Sequence, residues 1–321
     1  MKLSLRRCNE RRSEIGSQRS AGQNPALAPF AKGQAEGRGI SEPETVSNME
    51  IQFTKMHGCG NDFVFLDCLN KPVGDLERIA KQLCDRRFGV GADQVLTIHP
   101  SKVADFKMEI YNADGSQVEM CGNGIRCFAK YVYDHGLTKK RELEVETLAG
   151  IIRPKIVGEL VEVDMGEPVL EGRKIPVDAD GQIINYPLLV DGTNYQVTCV
   201  SMGNPHCVLY LDDIDSLDLE RIGPRFEHHP FFPKRVNTEF IKIVSPNELR
   251  MRVWERGAGE TWACGTGASA VGVAGVLTGR TEREVTIHLK GGDLFIEWRD
   301  NNRVYMTGAA EEVFHGTVKV H

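Results

Sequence analysis

The sequence predicts an α+β protein of two pseudo-symmetric domains, each a curved, mostly antiparallel sheet around a central helix. The first observation is an internal repeat: residues 108–138 align without a gap on residues 251–281. The second is that most of the chain consists of short β-branched runs that end at Gly, Asn or Asp. Helical periodicity occurs in only a few places, so we expect sheets to dominate the fold.

The repeat matches chemically distinctive residues as well as apolar ones. Each copy contains a cysteine followed by Gly-x-Gly and the start of a predicted helix. The same register extends far upstream of the aligned segments, which indicates a duplicated domain. The matched pairs are Met108/Met251, Tyr111/Trp254, Cys121/Cys264, Gly122/Gly265, Gly124/Gly267, Gly136/Gly279, Thr138/Thr281, Asn61/Asn204 and Gln94/Asn237.

The secondary structure follows from the spacing of the apolar residues. Helices are predicted at Leu76–Cys84, Gly124–His135 and Gly267–Thr278, and the third is apolar on nearly every side, so it should be buried. Gly136 and Gly279 follow the last two helices and suit a left-handed position just past the helix end. Predicted strands are Phe63–Asp67, Lys107–Tyr111, Leu143–Thr147, Val161–Met165, Gln196–Val200, Cys207–Leu211, Phe240–Val244, Arg250–Trp254, Val285–Leu289 and Leu294–Trp298.

Residues 1–48 differ in composition from the rest of the chain. They are rich in Ser, Gly and Ala and contain almost no large apolar residues, so we expect a disordered N-terminal extension. They lack the apolar core of a secretory signal. Three interpretations remain: an organelle transit peptide, a disordered arm, or sequence upstream of a natural start at Met49. The N-terminal domain is predicted to span residues 49–165 with a return at 311–321, and the C-terminal domain residues 166–310.

The composition limits the classes of partner. With 321 residues, 41% hydrophobic and 26% charged, the chain has the composition of a soluble globular protein. Its net charge of −6 argues against a nucleic-acid partner, because such proteins usually carry a basic patch. No apolar run approaches the roughly 20 residues of a membrane span. Nine scattered cysteines fit a reducing compartment. We expect a cytoplasmic protein, or a plastid one if residues 1–48 are a transit peptide.

The two cysteines of the repeat are the strongest candidates for chemistry. A helix N-terminus offers unpaired N–H donors and a partial positive charge, which can bind a carboxylate. The same setting should stabilise a thiolate relative to its reference pKa of about 8.5. If the two halves face each other, Cys121 and Cys264 stand on opposite faces of one carbon, as inversion of a stereocentre requires. The sequence therefore predicts a racemase or epimerase, and this logic requires no cofactor and no metal.

The repeat also pairs polar residues that suit a ligand with amino and carboxylate groups at both ends. Amides both donate and accept hydrogen bonds, although Asn is also favoured in turns. Arg256 has no basic counterpart and could clamp a carboxylate at one end only. Glu255 could hold an ammonium group, and His206 could assist one thiol or be structural. The matched polar pairs are Asn61/Asn204, Gln94/Asn237 and Asn112/Glu255.

Six segments together closely resemble diaminopimelate epimerase, and the resemblance runs from Met49 to the C-terminus in unbroken order. It implies interconversion of LL- and meso-2,6-diaminopimelate, in lysine and peptidoglycan biosynthesis, without pyridoxal phosphate. It also implies two pseudo-symmetric domains and, commonly, a homodimer. The segments are HGCGNDF at residues 57–63, NADGS at 112–116, MCGNGIRC at 120–127, SMGNPHC at 201–207, ERGAGET at 255–261 and ACGTG at 263–267.

The resemblance assigns roles to individual residues. It implies Cys121 and Cys264 as the acid/base pair, with His206 and Glu255 flanking the reacting centre. Two positions, Ala92 and Thr266, depart from the residues more common in the family, and neither alters the chemistry. The implied substrate contacts are Asn61, Gln94, Asn112, Gly122, Asn123, Asn204, Asn237, Glu255, Arg256, Gly265 and Thr266.

Three alternatives stay open at this point. One is another two-thiol racemase, acting on proline or hydroxyproline; Asn123, where the proline type would have His, and the pair Glu255-Arg256 argue against it. A second is a thiol redox or metal-binding module, although Cys121 and Cys127 have a poor spacing for zinc. A third is a binding domain of the same architecture without catalytic activity.

Overall fold

The computed structural model describes residues 49–320, so the predicted disordered extension at residues 1–48 and the last residue lie outside the described residues. The helices are α1 (Leu76–Cys84), α2 (Gly122–Asp134), α3 (Leu219–Glu227) and α4 (Gly265–Leu277), with a short 3-10 helix at Gly172–Lys174. The strands are β1 (Met49–Gly58), β2 (Asn61–Asp67), β3 (Gln94–His99), β4 (Phe106–Asn112), β5 (Gln117–Val118), β6 (Val145–Thr147), β7 (Gly150–Ile152), β8 (Pro154–Val157), β9 (Leu160–Gly166), β10 (Tyr186–Val190), β11 (Thr193–Ser201), β12 (Pro205–Tyr210), β13 (Asn237–Ser245), β14 (Glu248–Glu255), β15 (Gly259–Thr261), β16 (Glu284–Leu289), β17 (Gly292–Trp298), β18 (Val304–Gly308) and β19 (Glu311–Val320).

Two sheets carry the fold, and their strands follow the same order. The first is β19-β1-β2-β3-β4-β6-β7, and the second begins β10-β11-β12-β13-β14-β16-β17. The short β5 pairs with β4, and β15 pairs with β14 in the same way. The parallel pairs β2–β3 and β4–β6 correspond to the parallel pairs β12–β13 and β14–β16, and the other pairs are antiparallel. This shared topology is the structural form of the repeat in the sequence.

The second sheet is longer than the first. It continues from β17 through β18, β9 and β8, so residues 154–166 pair with strands of the second half. Helix α2 of the first half nevertheless packs against both β8 and β9. All the described residues fall within one compact unit, and the predicted domain boundaries stay a prediction.

The central helices match across the repeat. Helices α2 and α4 each have 13 residues and begin immediately after the cysteines. Two residues past the end of each helix lies a glycine with positive φ, 69° for Gly136 and 66° for Gly279, which confirms the predicted left-handed positions. Hydrogen bonds from Leu137 N to Val132 O and from Arg280 N to Gly275 O close both ends. Helix α4 is buried along most of its length, as its apolar sequence predicted.

Each half also contains a second, shorter helix, and the one in the second half was not predicted. Helix α3 begins 143 residues after α1, and both start with Leu-Glu-Arg-Ile. Pro224 lies inside α3, at a position where proline usually interrupts a helix. Within residues 49–320, none of the helices is long and apolar enough to cross a membrane.

Candidate active site

Cys121 and Cys264 are the N-cap residues of α2 and α4, and we call each cysteine with its following Gly-x-Gly a thiol cap. Their backbones are extended, with φ of −137° and −127°. Each sulfur accepts a hydrogen bond from the N–H three residues later: Gly124 N to Cys121 Sγ and Gly267 N to Cys264 Sγ, both at 3.4 Å. The other N–H groups of the first turn have no acceptor within their helix, so they can receive an anion.

Amide side chains contact the first thiol cap. Cys121 Sγ lies 3.6 Å from Asn61 Oδ1, and Asn123 Nδ2 donates to the same oxygen at 3.3 Å. Asn61 Nδ2 in turn donates to Asp93 Oδ2 at 2.8 Å. The Asn61 carboxamide is therefore held from both sides with its oxygen toward the thiol.

Carboxylates contact the second thiol cap. Glu255, at the end of β14, hydrogen-bonds with the Cys264 thiol and accepts a hydrogen bond from Thr261 Oγ1. Cys264 Sγ also lies 3.5 Å from Thr266 Oγ1. A second carboxylate, that of Glu239, raises the pKa of Cys264. This thiol thus faces two acidic side chains.

His206 and Glu239 form a fully buried pair beside Cys264. His206 Nδ1 lies 2.7 Å from Glu239 Oε1, and His206 Nε2 lies 2.9 Å from Asn204 Oδ1. Donor atoms of His206, Glu239 and Cys264 all lie within 4.8 Å of one another. Both ring nitrogens of His206 are already hydrogen-bonded, so the arrangement is that of an oriented histidine–carboxylate pair.

The N-termini of α2 and α4 converge on Met306 of β18. A Cβ placed on Gly122 would lie 3.2 Å from Met306 Cε, and one on Gly265 would lie 3.0 Å from Met306 Sδ. The Gly265 position also lies 3.6 Å from Asn123 Oδ1, across the boundary between the two halves. The N-termini of the two central helices therefore lie close to each other, on either side of Met306.

Burial raises the pKa of both thiols and outweighs the predicted stabilisation of a thiolate by the helix N-termini. At Cys121 the N–H groups of Gly124 and Asn123 lower the pKa and offset part of this effect. At Cys264 the burial acts together with the Glu255 and Glu239 charges, which places its pKa well above the ordinary value. The Glu255 charge also raises the pKa of Cys121, so this carboxylate acts on both thiols.

The family model of diaminopimelate epimerase matches residues 53–171 and 198–313, which include both thiol caps. A diaminopimelate epimerase from Acetivibrio thermocellus is 53% identical over 278 residues, covering 84% of this chain and 99% of that protein. One from Moorella thermoacetica is 54% identical over 274 residues, covering 83% and 98%. The chain belongs to the diaminopimelate epimerase family.

Solved structures of other proteins share the fold of this family member. A phenazine biosynthesis protein of the PhzF family from Bacillus anthracis has a TM-score of 0.62 at 16% identity, over 85% of this chain and 100% of that chain. A hydroxyproline epimerase from Agrobacterium vitis, with bound trans-4-OH-L-proline, has a TM-score of 0.60 at 14% identity, over 84% and 93%. These likenesses agree with the fold class predicted from the repeat.

The other implied substrate contacts of this diaminopimelate epimerase family member lie at the same strand ends in both halves. Gln94 Nε2 donates to Asn112 Oδ1 at 2.8 Å, which joins the start of β3 to the end of β4. Asn237, at the matched start of β13, donates to Pro205 O at 2.8 Å and accepts from Arg256 N at 2.9 Å. The Arg256 side chain is exposed, and its Nη1 donates to Lys234 O at 3.2 Å.

Sequence reasoning missed three residues at this site. Glu239 holds His206, Thr261 holds Glu255, and Met306 separates the two helix N-termini. Glu239 carried a usable signal, because it is an acidic residue whose match in the repeat is the apolar Leu96. Met306 carried none, since nothing in the sequence brings the residues near 306 to the two caps.

Proposed function

We propose that this protein interconverts LL- and meso-2,6-diaminopimelate without pyridoxal phosphate, with Cys121 and Cys264 as the acid/base pair. The observation that carries the proposal is the pair of thiol caps at two helix N-termini that meet at Met306. One thiolate removes the α-proton from one face, and the opposite thiol delivers a proton to the other face. The site residues assigned above from the family resemblance complete this proposal.

The helix N-termini would stabilise the charge that develops on the substrate. As the α-proton leaves, negative charge spreads into the α-carboxylate, where oriented N–H donors are most effective. The candidate donors are the backbone N–H groups of Gly122, Asn123, Gly265 and Thr266, which lie in the first turns of α2 and α4. Their positions beside both sulfurs fit a carboxylate on the reacting carbon.

Glu255 is positioned to exchange a proton with Cys264. Burial raises the pKa of Glu255, while hydrogen bonds from Thr261 and Cys264 lower it. The pKa of the Cys264 thiol is raised by burial and by this same carboxylate, so the thiol needs a proton acceptor in order to ionise. Transfer of its proton to Glu255 when substrate binds would supply the thiolate. His206, oriented by Glu239 and Asn204, lies close enough to lower the pKa of Glu255.

The remaining polar residues would hold the two ends of the substrate. Asn61 and Asn204 flank the two thiol caps, where an α-amino and an α-carboxylate group would lie. At the far end, Arg256 offers a guanidinium for a carboxylate. Its present contact with Lys234 O would have to be exchanged for the ligand.

The test measures incorporation of deuterium from heavy water at the α-carbons of diaminopimelate. Wild-type protein should incorporate it, and Cys121→Ala and Cys264→Ala should each lower turnover by at least about 10²-fold. Cys84→Ala serves as the control, since this buried cysteine lies in α1 in a separate apolar cluster, and its turnover should stay near wild type.

Two outcomes would overturn the proposal. The first is folded wild-type protein that exchanges no α-hydrogen of diaminopimelate. The second is near-full turnover in either thiol variant. Proline and hydroxyproline in the same assay should exchange no deuterium, and exchange with them instead would favour the other racemase type.

We also propose a homodimer in the cytoplasm. Strand β19 lies at the edge of the first sheet and exposes Val313 and Phe314, and such edges are usually covered or paired. Light scattering should give about twice the chain mass of 35.7 kDa. A monomer at micromolar concentration would contradict this assembly. Cell fractionation tests the cytoplasmic location against a plastid one.

A further inference from the structure

Arg126 of α2 has a fully buried guanidinium group and is the largest completely buried side chain among the described residues. Its Nε donates to Ala309 O and its Nη1 to Gly122 O, both at a long 3.3 Å. The remaining contacts are with sulfur: Met306 Sδ at 3.6 Å and Cys59 Sγ at 3.7 Å. Burying a charge is costly in free energy unless it is paired and well hydrogen-bonded. The weak bonding of this cation therefore suggests that its charge has a role other than stabilising the fold.

No carboxylate within residues 49–320 forms an ion pair with Arg126. Two acidic side chains, Asp293 of β17 and Glu311 of β19, act on the pKa of Cys59, the thiol that Arg126 contacts. Asp293 Oδ1 pairs with His288 Nδ1 at 2.7 Å, and Glu311 Oε2 faces His57 Nε2 at 3.9 Å. Both of these carboxylates therefore have a histidine as their partner.

The matched position in α4 is occupied by a neutral residue. Ser269 stands 143 residues after Arg126, and its Oγ donates to Gly265 O at 2.9 Å, just as Arg126 Nη1 donates to Gly122 O. The hydrogen bond to the first helical carbonyl is thus kept in both halves without a cation in the second. An arginine is not needed for that bond alone.

The charged residues that act on the two thiols differ. Cys121 feels the cation Arg126, which is bonded to the carbonyl of the next residue, Gly122, and also the Glu255 charge of the other half. Cys264 has Glu255 and Glu239 and no cation of its own helix, since Ser269 replaces the arginine. The residues matched to His206 and Glu239 in the first half are Phe63 and Leu96, which carry no charge.

We propose that Arg126 is a positioning residue whose buried charge makes Cys121 the first of the two thiols to ionise, ahead of Cys264. This inference rests on the proposed two-thiol function. Its consequence is that the isomer whose α-hydrogen faces Cys121 meets the thiol that ionises more readily, whereas the other isomer depends on ionisation of Cys264.

The pKa directions agree with this order. Burial raises the pKa of both thiols, but Arg126 lowers that of Cys121, together with the Gly124 and Asn123 N–H groups. At Cys264 the Glu255 and Glu239 charges add to the effect of burial. Arg126 also lowers the pKa of Cys59, which is raised chiefly by burial.

The experiment follows alkylation of each cysteine by iodoacetamide as a function of pH, in the full-length protein without substrate, with rates read from peptide mass spectra. In wild type the rate at Cys121 should rise at lower pH than the rate at Cys264. Arg126→Gln keeps a hydrogen-bond donor but removes the charge, and at about pH 8 it should slow alkylation of Cys121 about tenfold, equivalent to one pKa unit. The Cys264 rate should change less than about twofold, and Arg126→Lys should restore the Cys121 profile.

Two results would overturn the proposal. One is a Cys264 profile that lies at or below the pH of the Cys121 profile in wild type, which needs no variant and therefore holds even if Arg126→Gln does not fold. The other is an unchanged Cys121 profile in folded Arg126→Gln, which would leave Arg126 a brace between α2 and Ala309. Because alkylation needs no turnover, failure here is distinct from failure of the deuterium exchange test.

Discussion

The two thiol caps have the same backbone but different surroundings. Both sulfurs cap a 13-residue helix and accept an N–H at 3.4 Å. Around Cys121 the partners are the amides of Asn61 and Asn123, with Arg126 behind them, whereas Cys264 faces two glutamates. The duplication has therefore kept the geometry that aims each thiol while the charges that set its protonation have diverged.

The residues that hold the two matched asparagines differ in the same way. Asn61 is held by Asp93, which joins a partly exposed network of Arg86, Asp62 and Lys55. Asn204 is instead held by the fully buried pair of His206 and Glu239. We therefore expect changes in the first network to affect stability and its pH dependence, and changes in the second to affect catalysis first.

The largest effect should come from replacing Glu239 with the residue of the other half. Glu239→Leu leaves His206 Nδ1 without an acceptor inside the protein, so kcat should fall on the order of 10². Glu239→Gln keeps a hydrogen-bonding group and should lose less. Steady-state kinetics measures both, and the matched volume-conserving change Leu96→Met is the control. A Glu239→Leu enzyme with wild-type kcat would mean that the pair has no part in the reaction.

The next comparison sets Gly267→Ala against Gly124→Ala, at the matched last positions of the two thiol caps. A Cβ on Gly267 would lie 2.7 Å from Glu239 Oε1 and 3.2 Å from Cys264 Sγ, so a buried carboxylate must move. At Gly124 the nearest atom would be Leu96 Cδ2 at 3.1 Å, the end of a flexible side chain. We expect kcat of Gly267→Ala to be about tenfold below that of Gly124→Ala, because small displacements of catalytic groups are costly. Equal losses would show that Glu239 adjusts freely.

Much of the fold could be predicted from the sequence because duplication makes it redundant. The repeat of Cys-Gly-x-Gly predicted both central helices, and the glycines at 136 and 279 marked their ends. Helix α3 was not predicted, although Leu-Glu-Arg-Ile at matched positions in both halves would have identified it. The pairing of β9 with β18 could not be predicted, since it depends on how the halves meet.

The site was predictable where it depends on the helix N-termini and not where it depends on burial. The thiol caps follow from local sequence, because an N-cap needs only the residues of its own first turn. The raised pKa of Cys121 and Cys264 arises chiefly from burial in the folded chain, which a local pattern does not contain. The sequence also does not predict that the buried partners of Arg126 are carbonyl oxygens and sulfurs rather than carboxylates.

A smaller effect is expected from the ion network of the first half. Burial alone would raise the pKa of Asp62, but hydrogen bonds from Arg86 and Lys55 lower it to about 2 from 3.8. A lowered folded-state pKa stabilises the fold above the unfolded value and loses this contribution as the pH falls through the folded value. Asp62→Asn should therefore cost roughly 2 kcal/mol at neutral pH, and the difference from wild type should shrink between pH 3.8 and about 2.

Urea unfolding at several pH values measures this difference for Asp62→Asn. The control is Asp75→Asn, which removes an exposed partner of Arg78 and should cost less. A cost that stays constant down to the acid limit would show that packing rather than charge is lost. Deuterium exchange of diaminopimelate should be less affected in Asp62→Asn than in Glu239→Leu, because the first network is expected to act on stability and the His206–Glu239 pair on catalysis.

The smallest effects should be equal in the two halves, because they concern the helix ends where backbone geometry alone decides. Gly136 and Gly279 have φ of 69° and 66°, and a Cβ on either would meet no atom within 4 Å. The cost of alanine at each position is therefore only that of the left-handed backbone, about 1 kcal/mol. Urea unfolding should give the same loss for Gly136→Ala and Gly279→Ala, with turnover unchanged. Unequal losses in the free energy of unfolding would mean that the two halves unfold as separate units of different stability.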